Sequence, residues 1–470
     1  MPHDPVVDLF ARSAASLDRE FAALPDFDPA SGIDAPALAR VLDETAHRLG
    51  DNYPYFHPLY AGQMLKPPHP VARAAYALAM KINPNNHALD GGRASSAMEV
   101  EAVREIAAMF GWKRYLGHLA SSGTFANLEA LWMAGRLHPG RRIVASAQAH
   151  YTHHRIGGVL GLDLKSIPTD GRGRMCLNAL EDELRSGDVG AVVATLGTTA
   201  MGAVDPLDGI VDLAARYGAR VHVDAAYGGY FRLIAGALDE PAQRAFLAID
   251  RADSIVIDPH KHGLQPYGCG CVLFKDPAVG SFYKHDSPYT YFTSNQLHLG
   301  EISLECSRAG AAAVALWATQ RLLPLTPDGA FATGLRRGRR AALDLDRRLR
   351  QDRRFAPLAA GMPELDIVVW AASAGAPPQA SQRAQQIFHA SARRDLHLAL
   401  VQLPGSWFQP SGRAQGVGQA LTCLRSVLMK PEHEAWIGAI WERLDAACRE
   451  VEAAQGQADA AAGAREPGAV

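Results

Sequence analysis

Short apolar stretches alternate with amphipathic ones through the middle of the chain. Between residues 97 and 111, apolar side chains recur every three to four positions, which predicts a helix. Six mostly apolar runs predict strands at 142–146, 164–168, 190–197, 220–224, 254–258 and 271–275. Helical stretches, such as 206–217, lie between most of them. This alternation predicts an α/β fold with a mostly parallel sheet and helices on both faces.

The pattern changes on either side of this region. Residues 1 to about 50 predict two helical stretches, and five prolines between 54 and 70 predict an extended connection. Beyond about residue 321, helices are predicted at 334–350, 382–394 and 431–451, and strands at 364–370 and 421–428. We therefore predict an N-terminal helical and extended arm (1–65), a large domain (66–320), a small C-terminal α+β domain (321–452) and a disordered Ala/Gly-rich tail (453–470).

The composition narrows the class of protein. Of 470 residues, 48% are hydrophobic and 20% charged, which excludes a disordered or collagen-like chain. The net charge of −2 gives no sign of a nucleic-acid or anionic-membrane partner. We find no apolar run of membrane-spanning length, no signal-peptide pattern and too few cysteines for a disulfide framework. We therefore expect a soluble, cytoplasmic protein with reduced thiols.

Two predicted strands end in groups that suit catalysis. Asp224 ends one strand, and the small residues Ala225 and Ala226 after it let a flat ligand approach. Lys261, one of only eight lysines, follows another strand and precedes a Gly/Pro-rich segment. Burial there would lower its pKa towards the neutral amine that Schiff-base chemistry requires. An Asp that caps the next helix and a solvated Lys are the alternatives.

A third segment, at residues 121–124, predicts an anion site. Ser122, Gly123 and Thr124 open a predicted helix, whose free N–H groups and dipole attract anions. A simple helix N-cap is the alternative. The segment is not a P-loop, because no Gly-Lys-Ser/Thr follows, and no GxGxxG motif supports a nicotinamide dehydrogenase.

Two more strands are followed by candidate ligand contacts. His150 follows the strand at 142–146, and His153 and His154 come shortly after it. These histidines could bind zinc, or His150 could stack on a flat cofactor. Cysteines or acids at ligand spacing are missing nearby, which disfavours zinc and predicts no metal site. Thr199 follows the strand at 190–197.

The order of these groups indicates one ligand. Thr124 precedes His150 by 26 residues, Thr199 precedes Asp224 by 25, and Asp224 precedes Lys261 by 37. Pyridoxal 5′-phosphate needs all of these groups: the helix N-terminus for its phosphate, Asp224 for its ring nitrogen and Lys261 for its aldehyde.

Several motifs also resemble one family. The segments HVDAAYGG, DPHK, Ser-Gly-Thr-x-Ala-Asn and LGTTxxGAVDP are similar to motifs of the pyridoxal-phosphate-dependent group II amino-acid decarboxylases. Residues 254–276 and 302–325 most resemble segments of bacterial tyrosine decarboxylases. The resemblance covers about residues 50 to 325. It implies the fold-type I aminotransferase architecture, with a seven-stranded sheet, and a homodimer with the active site at the interface.

The resemblance also implies roles for individual residues. Lys261 would bind the cofactor aldehyde, Asp224 would pair with the ring nitrogen, and His150 and Ala226 would cover the two faces of the ring. Ser122, Gly123, Thr124 and His260 would hold the phosphate, and Thr199 would lie near the ring substituents. Tyr289 or Tyr291 would protonate Cα.

The expected reaction is removal of the α-carboxylate of an L-amino acid as CO₂. The aromatic content of residues 53–65 and 283–298 favours an aromatic substrate such as tyrosine. An aminotransferase or a carbon–carbon lyase with the same cofactor is the first alternative. A non-catalytic cofactor-binding regulator is a second, but the first 50 residues carry no basic recognition helix.

Overall fold

The computed structural model describes residues 5–25, 32–284, 298–373, 376–408 and 420–463. The helices of the first half are α1 (Pro5–Glu20), α2 (Ala35–Leu49), α3 (Pro70–Met80), α4 (Leu89–Met109), α5 (Gly123–Leu137), α6 (Thr152–Leu160), α7 (Leu177–Leu184) and α8 (Leu207–Tyr217). Those of the second half are α9 (Glu240–Leu247), α10 (Gly310–Leu322), α11 (Ala330–Gln351), α12 (Pro377–Ala392) and α13 (His433–Gly463).

Eleven strands accompany these helices in the described residues. They are β1 (Leu116–Ala120), β2 (Arg142–Ser146), β3 (Leu164–Ile167), β4 (Val189–Thr195), β5 (Arg220–Asp224), β6 (Ser254–Ile257), β7 (Gly270–Phe274), β8 (Phe355–Pro357), β9 (Ile367–Ala372), β10 (Ala399–Pro404) and β11 (Ala420–Val427).

Seven strands form the main sheet, in the order β1-β7-β6-β5-β4-β2-β3. The five strands from β6 to β3 are parallel, and β7 runs antiparallel to both of its neighbours. Every residue of β4 is buried, as expected of a central strand that helices cover on both faces. The predicted α/β fold with a mostly parallel seven-stranded sheet is confirmed. The sheet contains all six predicted strands, and β1 is the strand that was not predicted.

The C-terminal region has a sheet of its own. Its four antiparallel strands lie in the order β10-β11-β9-β8, α11 and α12 pack against them, and α13 packs against these two helices. This is the predicted α+β arrangement, with β8 and β10 added. One prediction is wrong: α13 continues to Gly463, so residues 453–463 are helical rather than a disordered tail. Alanine has the highest helix propensity, and the last turns of α13 are rich in it.

The arm between α2 and α3 joins the C-terminal sheet. The Ala61 N–H donates to the His397 carbonyl at 2.9 Å, and the Val427 N–H donates to the Ala61 carbonyl at 2.7 Å. Leu59 and Ala61 are buried in the core that surrounds Trp370. The extended connection predicted from the prolines is therefore a packed segment. None of the helices in the described part of the chain has the length and apolarity of a membrane span.

Candidate active site

The carboxyl ends of five strands of the main sheet (β1, β2, β4, β5 and β6) and the segments that follow them surround one cavity. The predicted residues among its lining are Ser122, Gly123, Thr124, His150, Thr199, Asp224, Ala226, His260 and Lys261. Asn127, Thr152, Thr195, Gly197, Tyr227 and Asp258 complete the wall. The structure thus brings nine of the eleven predicted site residues together. The other two, Tyr289 and Tyr291, lie outside the described residues.

One end of the cavity is the N-terminus of α5. The Ser122 hydroxyl accepts the Phe125 N–H at 3.2 Å, so Ser122 is the N-cap of this helix. Gly123 and Thr124 form the first turn, where backbone N–H groups have no partner within the helix. A Cβ at position 123 would overlap the Asp258 carboxylate, so only glycine allows this close approach. The N-cap alternative is therefore realised, and the anion site remains a prediction for the same helix N-terminus, whose first residues line the cavity.

Asp224 lies at the end of β5, with both carboxylate oxygens engaged. Oδ2 accepts from His153 Nε2 at 2.8 Å, and Oδ1 accepts the Ala226 N–H at 3.1 Å. Burial alone would raise the pKa of this carboxyl. The hydrogen bond from His153, together with the nearby Lys261 and His222, outweighs burial and holds the pKa well below its usual value. Asp224 is therefore ionised across the physiological pH range.

Lys261 departs from expectation in its protonation. Its Nζ lies 3.0 Å from Asp258 Oδ2. Burial lowers the pKa of Lys261, as the sequence suggested, but the charges of Asp258 and Asp224 outweigh burial and raise the pKa above its ordinary value. The prediction of a lowered pKa was wrong because it took account of burial and not of the acid three residues earlier. Lys261 is an ammonium ion paired with Asp258.

The histidines near the cavity have separate partners. His150 Nδ1 lies 2.8 Å from Thr152 Oγ1, and burial lowers the pKa of His150, which favours its neutral ring. His154 Nε2 lies 3.1 Å from Ser166 Oγ, on the outer side of α6. His260 Nδ1 donates to the Cys269 carbonyl at 2.8 Å. The histidines at 150, 153 and 154 do not converge, and no group of three or more possible metal ligands occurs within the described residues.

Two buried oxygen atoms of the cavity wall have no hydrogen-bond partner in the part of the chain that the structure describes. They are Thr195 Oγ1 and Asp258 Oδ1. A buried polar atom without a partner is costly, and a polar ligand would remove that cost. Neither residue was predicted, although both lie at strand ends, where the same argument that selected Asp224 applies.

Arg425 on β11 is a further polar group that sequence reasoning did not select. It is buried, and its Nη1 donates to Gln63 Oε1 at 3.0 Å. Its Nε and Nη2 atoms find no partner within the described ranges. Burial lowers the pKa of Arg425, and the nearby Tyr227 and Tyr60 oppose this. Arg425 does not line the cavity itself, but it interacts electrostatically with Tyr227, which does.

The cavity offers complementary groups for pyridoxal phosphate. A carboxylate, an amine and a helix N-terminus face one space, and unpartnered oxygens lie in its wall. Asp224, Lys261 and the first turn of α5 would hold the ring nitrogen, the aldehyde and the phosphate. Together, the sheet order and this site fit the fold-type I architecture and its pyridoxal-phosphate cofactor.

Comparison with known proteins places the chain in a family. Residues 54–371 match the model of the pyridoxal-dependent decarboxylase conserved domain. The chain belongs to the pyridoxal-dependent decarboxylase family, and the resemblance seen in the motifs is confirmed.

Individual relatives are similar over part of their length. An L-tyrosine decarboxylase of Enterococcus faecium is 30% identical over 392 residues, which cover 62% of this chain and 64% of that protein. A probable L-aspartate decarboxylase of Halobacterium salinarum is 34% identical over 258 residues, which cover 54% of this chain and 70% of the relative. The chain thus spans slightly less than two thirds of the tyrosine decarboxylase.

Two solved structures share the fold over nearly the whole chain. Mouse CSAD in apo form has a TM-score of 0.75 at 20% identity, and the match covers 92% of this chain and 91% of that one. Oryza sativa TDC with PLP and tryptamine also has a TM-score of 0.75, at 19% identity, and the match covers 96% of this chain and 99% of that one.

Proposed function

We propose that this protein is a pyridoxal-phosphate-dependent decarboxylase that converts an L-amino acid, preferably an aromatic one, to its amine and CO₂. The observation that carries the proposal is the convergence of Asp224, Lys261 and the N-terminus of α5 on one cavity, in a chain of the pyridoxal-dependent decarboxylase family.

Bound pyridoxal phosphate supplies an electron sink for the pair released when the bond from Cα to the carboxylate breaks. The Asp224 carboxylate favours a protonated ring nitrogen, which strengthens that sink. Lys261 supplies the amine that binds the aldehyde, and Asp258 is positioned to take the proton that this amine must lose. His150, whose pKa burial lowers, and Ala226 both line the cavity and would cover the two faces of the ring.

Arg425 is the group that we assign to the substrate carboxylate. A buried guanidinium with two unpartnered nitrogens is a ready partner for a carboxylate, which it can bind through two parallel hydrogen bonds. The planar guanidinium would orient the substrate carboxylate before it is lost as CO₂. Gln63 would keep the guanidinium in place through its 3.0 Å contact with Nη1.

The aromatic side chains of the arm support an aromatic substrate. Tyr53, Tyr55 and Tyr60 pack against one another with ring centroids 4.9 to 6.4 Å apart. Tyr267 stacks on His260 at 4.9 Å, and the pKa of Tyr267 responds to both Lys261 and Tyr55. Tyr267 therefore interacts electrostatically with both the lysine and the arm. The relatives named as tyrosine decarboxylases are consistent with this choice, whereas those named as aspartate decarboxylases make aspartate the second candidate.

The N-terminal helices support a homodimer. None of the residues of α1 or α2 is buried. On α2, the apolar residues Leu38, Val41, Leu42 and Leu49 form one stripe, and each is 47% to 63% exposed. An amphipathic helix whose apolar stripe faces solvent needs a partner surface, and a second copy of the chain would supply one next to the arm. Tyr289 or Tyr291 remains the predicted proton donor to Cα.

The test uses purified protein and its Lys261→Ala variant. We expect borohydride to fix the cofactor on Lys261, as peptide mass spectrometry will show, and a panel of the twenty amino acids plus 2,4-diaminobutyrate to release CO₂ and amine most rapidly with an aromatic member. A keto acid product would indicate an aminotransferase, and an aldehyde a carbon–carbon lyase. If the alanine variant retains both the covalent adduct and the activity, the assignment of Lys261 is wrong.

A further inference from the structure

His153 lies in the first turns of α6, three residues after the predicted ring-stacking residue His150. Its side chain is completely buried, and its Nε2 lies 2.8 Å from Asp224 Oδ2. The helix begins at Thr152, immediately after the turn that places His150 at the cavity. The same short segment therefore supplies one imidazole to the cavity and a second imidazole to the far side of the Asp224 carboxylate.

The tautomer of His153 follows from its surroundings. Nδ1 is buried and has no hydrogen-bond partner among the described residues, whereas Nε2 faces a carboxylate oxygen. A neutral imidazole carries one proton, and here only Nε2 has an acceptor for it. His153 therefore donates to Asp224 whether it is neutral or charged.

We propose that His153 is a positioning residue, which fixes the Asp224 carboxylate in its ionised form and in the plane that meets the ring nitrogen of the cofactor. The inference rests on the proposed function, since it concerns the same site. With the Ala226 N–H on Oδ1 and His153 on Oδ2, the carboxylate has one donor on each oxygen and cannot rotate without losing both bonds. The cavity side of the group is left for the ring nitrogen.

The other charged and titratable groups near Asp224 do not replace His153. His222 on β5 contacts Asn127 Oδ1 through Nε2 and Ser254 Oγ through Nδ1, both within 2.9 Å. Lys261 is paired with Asp258. Of the neighbours that lower the pKa of Asp224, namely His153, Lys261 and His222, only His153 does so through a hydrogen bond.

The test compares His153→Leu, which removes the donor, with His153→Gln, which keeps an N–H donor. His154→Leu is the matched control on the same helix, because its imidazole contacts Ser166 rather than the cavity. Cofactor-free protein is titrated with pyridoxal phosphate and the dissociation constant is measured from protein fluorescence. We expect roughly 10- to 100-fold weaker binding for His153→Leu, since a hydrogen bond to a charged group is lost. His153→Gln restores most of the affinity, and His154→Leu leaves it unchanged.

A double-mutant cycle separates positioning from a merely structural role. In an Asp224→Ala background, His153→Leu is expected to have no further effect on cofactor affinity, because the carboxylate on which it acts is gone. An equal loss of affinity with and without Asp224 would overturn the proposal, as would unchanged affinity in the single variant. Failure of the wild-type chain to bind the cofactor would instead overturn the proposed function, and the wild-type titration shows this before any variant is compared.

Discussion

At the scale of single residues, the site depends on hydrogen bonds between side chains that are far apart in the sequence. His153 meets Asp224 across 71 positions, and Arg425 meets Gln63 across 362. Lys261 and Asp258, by contrast, are three residues apart. The local pair sets the protonation of the lysine, and the distant pairs set the orientation of the aspartate and the arginine.

The role proposed for Arg425 in binding the substrate carboxylate can be measured directly by enzyme kinetics. We expect Arg425→Met to lower kcat/KM for the amino acid by roughly 30- to 1,000-fold, because a charge-assisted pair with the substrate carboxylate is lost. Arg425→Lys keeps the charge but not the two-pronged geometry and should recover only part of the loss. Cofactor affinity should change little in either variant.

The control for Arg425 is Arg449→Met, at a mostly exposed arginine that pairs with Asp445 on the same helix. This variant should match wild type in steady-state kinetics. If Arg425→Met weakens pyridoxal phosphate binding but leaves the KM for the substrate unchanged, the arginine serves the cofactor and the assignment fails.

Asp224 and Lys261 were predictable from sequence, because each follows an apolar strand and the carboxyl ends of parallel strands meet at one edge. The partner of each was harder to find. His153 looked like a member of a histidine cluster, and Arg425 like an ordinary strand residue, since nothing local shows which distant group a buried side chain will meet. The pKa of Lys261 was misjudged for a different reason: the prediction considered burial and left out the charges of Asp258, three residues earlier, and of Asp224.

At the scale of elements, a strand was easiest to predict where its run of apolar residues is long and uninterrupted. The central strand β4 is an uninterrupted buried run and was evident. β1 has only five residues, with Gly117 and His118 among them, and β10 is partly exposed and ends in a proline. The final turns of α13 were missed because an Ala/Gly-rich composition suggested disorder, while alanine propensity favours a helix.

A buried hydrogen bond is among the contacts between the large domain and the C-terminal domain. The Tyr227 hydroxyl, on the segment after β5, donates to Asp366 Oδ1 at 2.5 Å, immediately before β9. Both side chains are buried. Burial raises the pKa of Asp366 to about 6, although the bond from Tyr227 and the charge of Lys66 act in the opposite direction. The contribution of this contact to the stability of the protein should therefore depend on pH.

The sign of that dependence follows from linkage. Because the pKa of Asp366 is higher in the folded than in the unfolded state, its contribution to stability is full below about pH 4 and is lost as the pH rises through about 6. Tyr227→Phe removes a contact that lowers this pKa, so the folded pKa rises further. We expect the variant to lose about 1 to 3 kcal/mol of stability near pH 8, and less near pH 5, where Asp366 is protonated.

Chemical unfolding of the cofactor-free protein at the two pH values measures this difference. Tyr217→Phe is the matched control, since Tyr217 donates to Glu181 at 3.0 Å nearer the surface. That variant should lose under about 0.5 kcal/mol at either pH. A Tyr227→Phe loss that is equal at both pH values would show that Asp366 does not titrate in this range.

At the scale of the whole molecule, the arm connects features that would otherwise be separate. It hydrogen-bonds to the C-terminal sheet at Ala61, carries a cluster of tyrosines, and supplies Gln63 to Arg425. The helices before it, α1 and α2, bury none of their own residues. A partner chain that covered the apolar stripe of α2 would therefore be linked to the active site through the arm.

This arrangement predicts that dimerisation and catalysis depend on each other. The wild-type protein should sediment at twice the 50.4 kDa mass of the chain. Val41→Asp with Leu42→Asp places two charges in the exposed apolar stripe of α2 and should shift the protein towards monomer, because buried unpaired charges oppose association. Arg40→Asp with His47→Asp adds the same number of acids to the polar face of the same helix and should leave the dimer intact.

Analytical ultracentrifugation at several protein concentrations, together with the activity at each concentration, checks both the dimer and its link to catalysis. A wild-type chain that sediments as a fully active monomer would rule out the shared interface, and a stripe variant that remains dimeric would place the interface elsewhere.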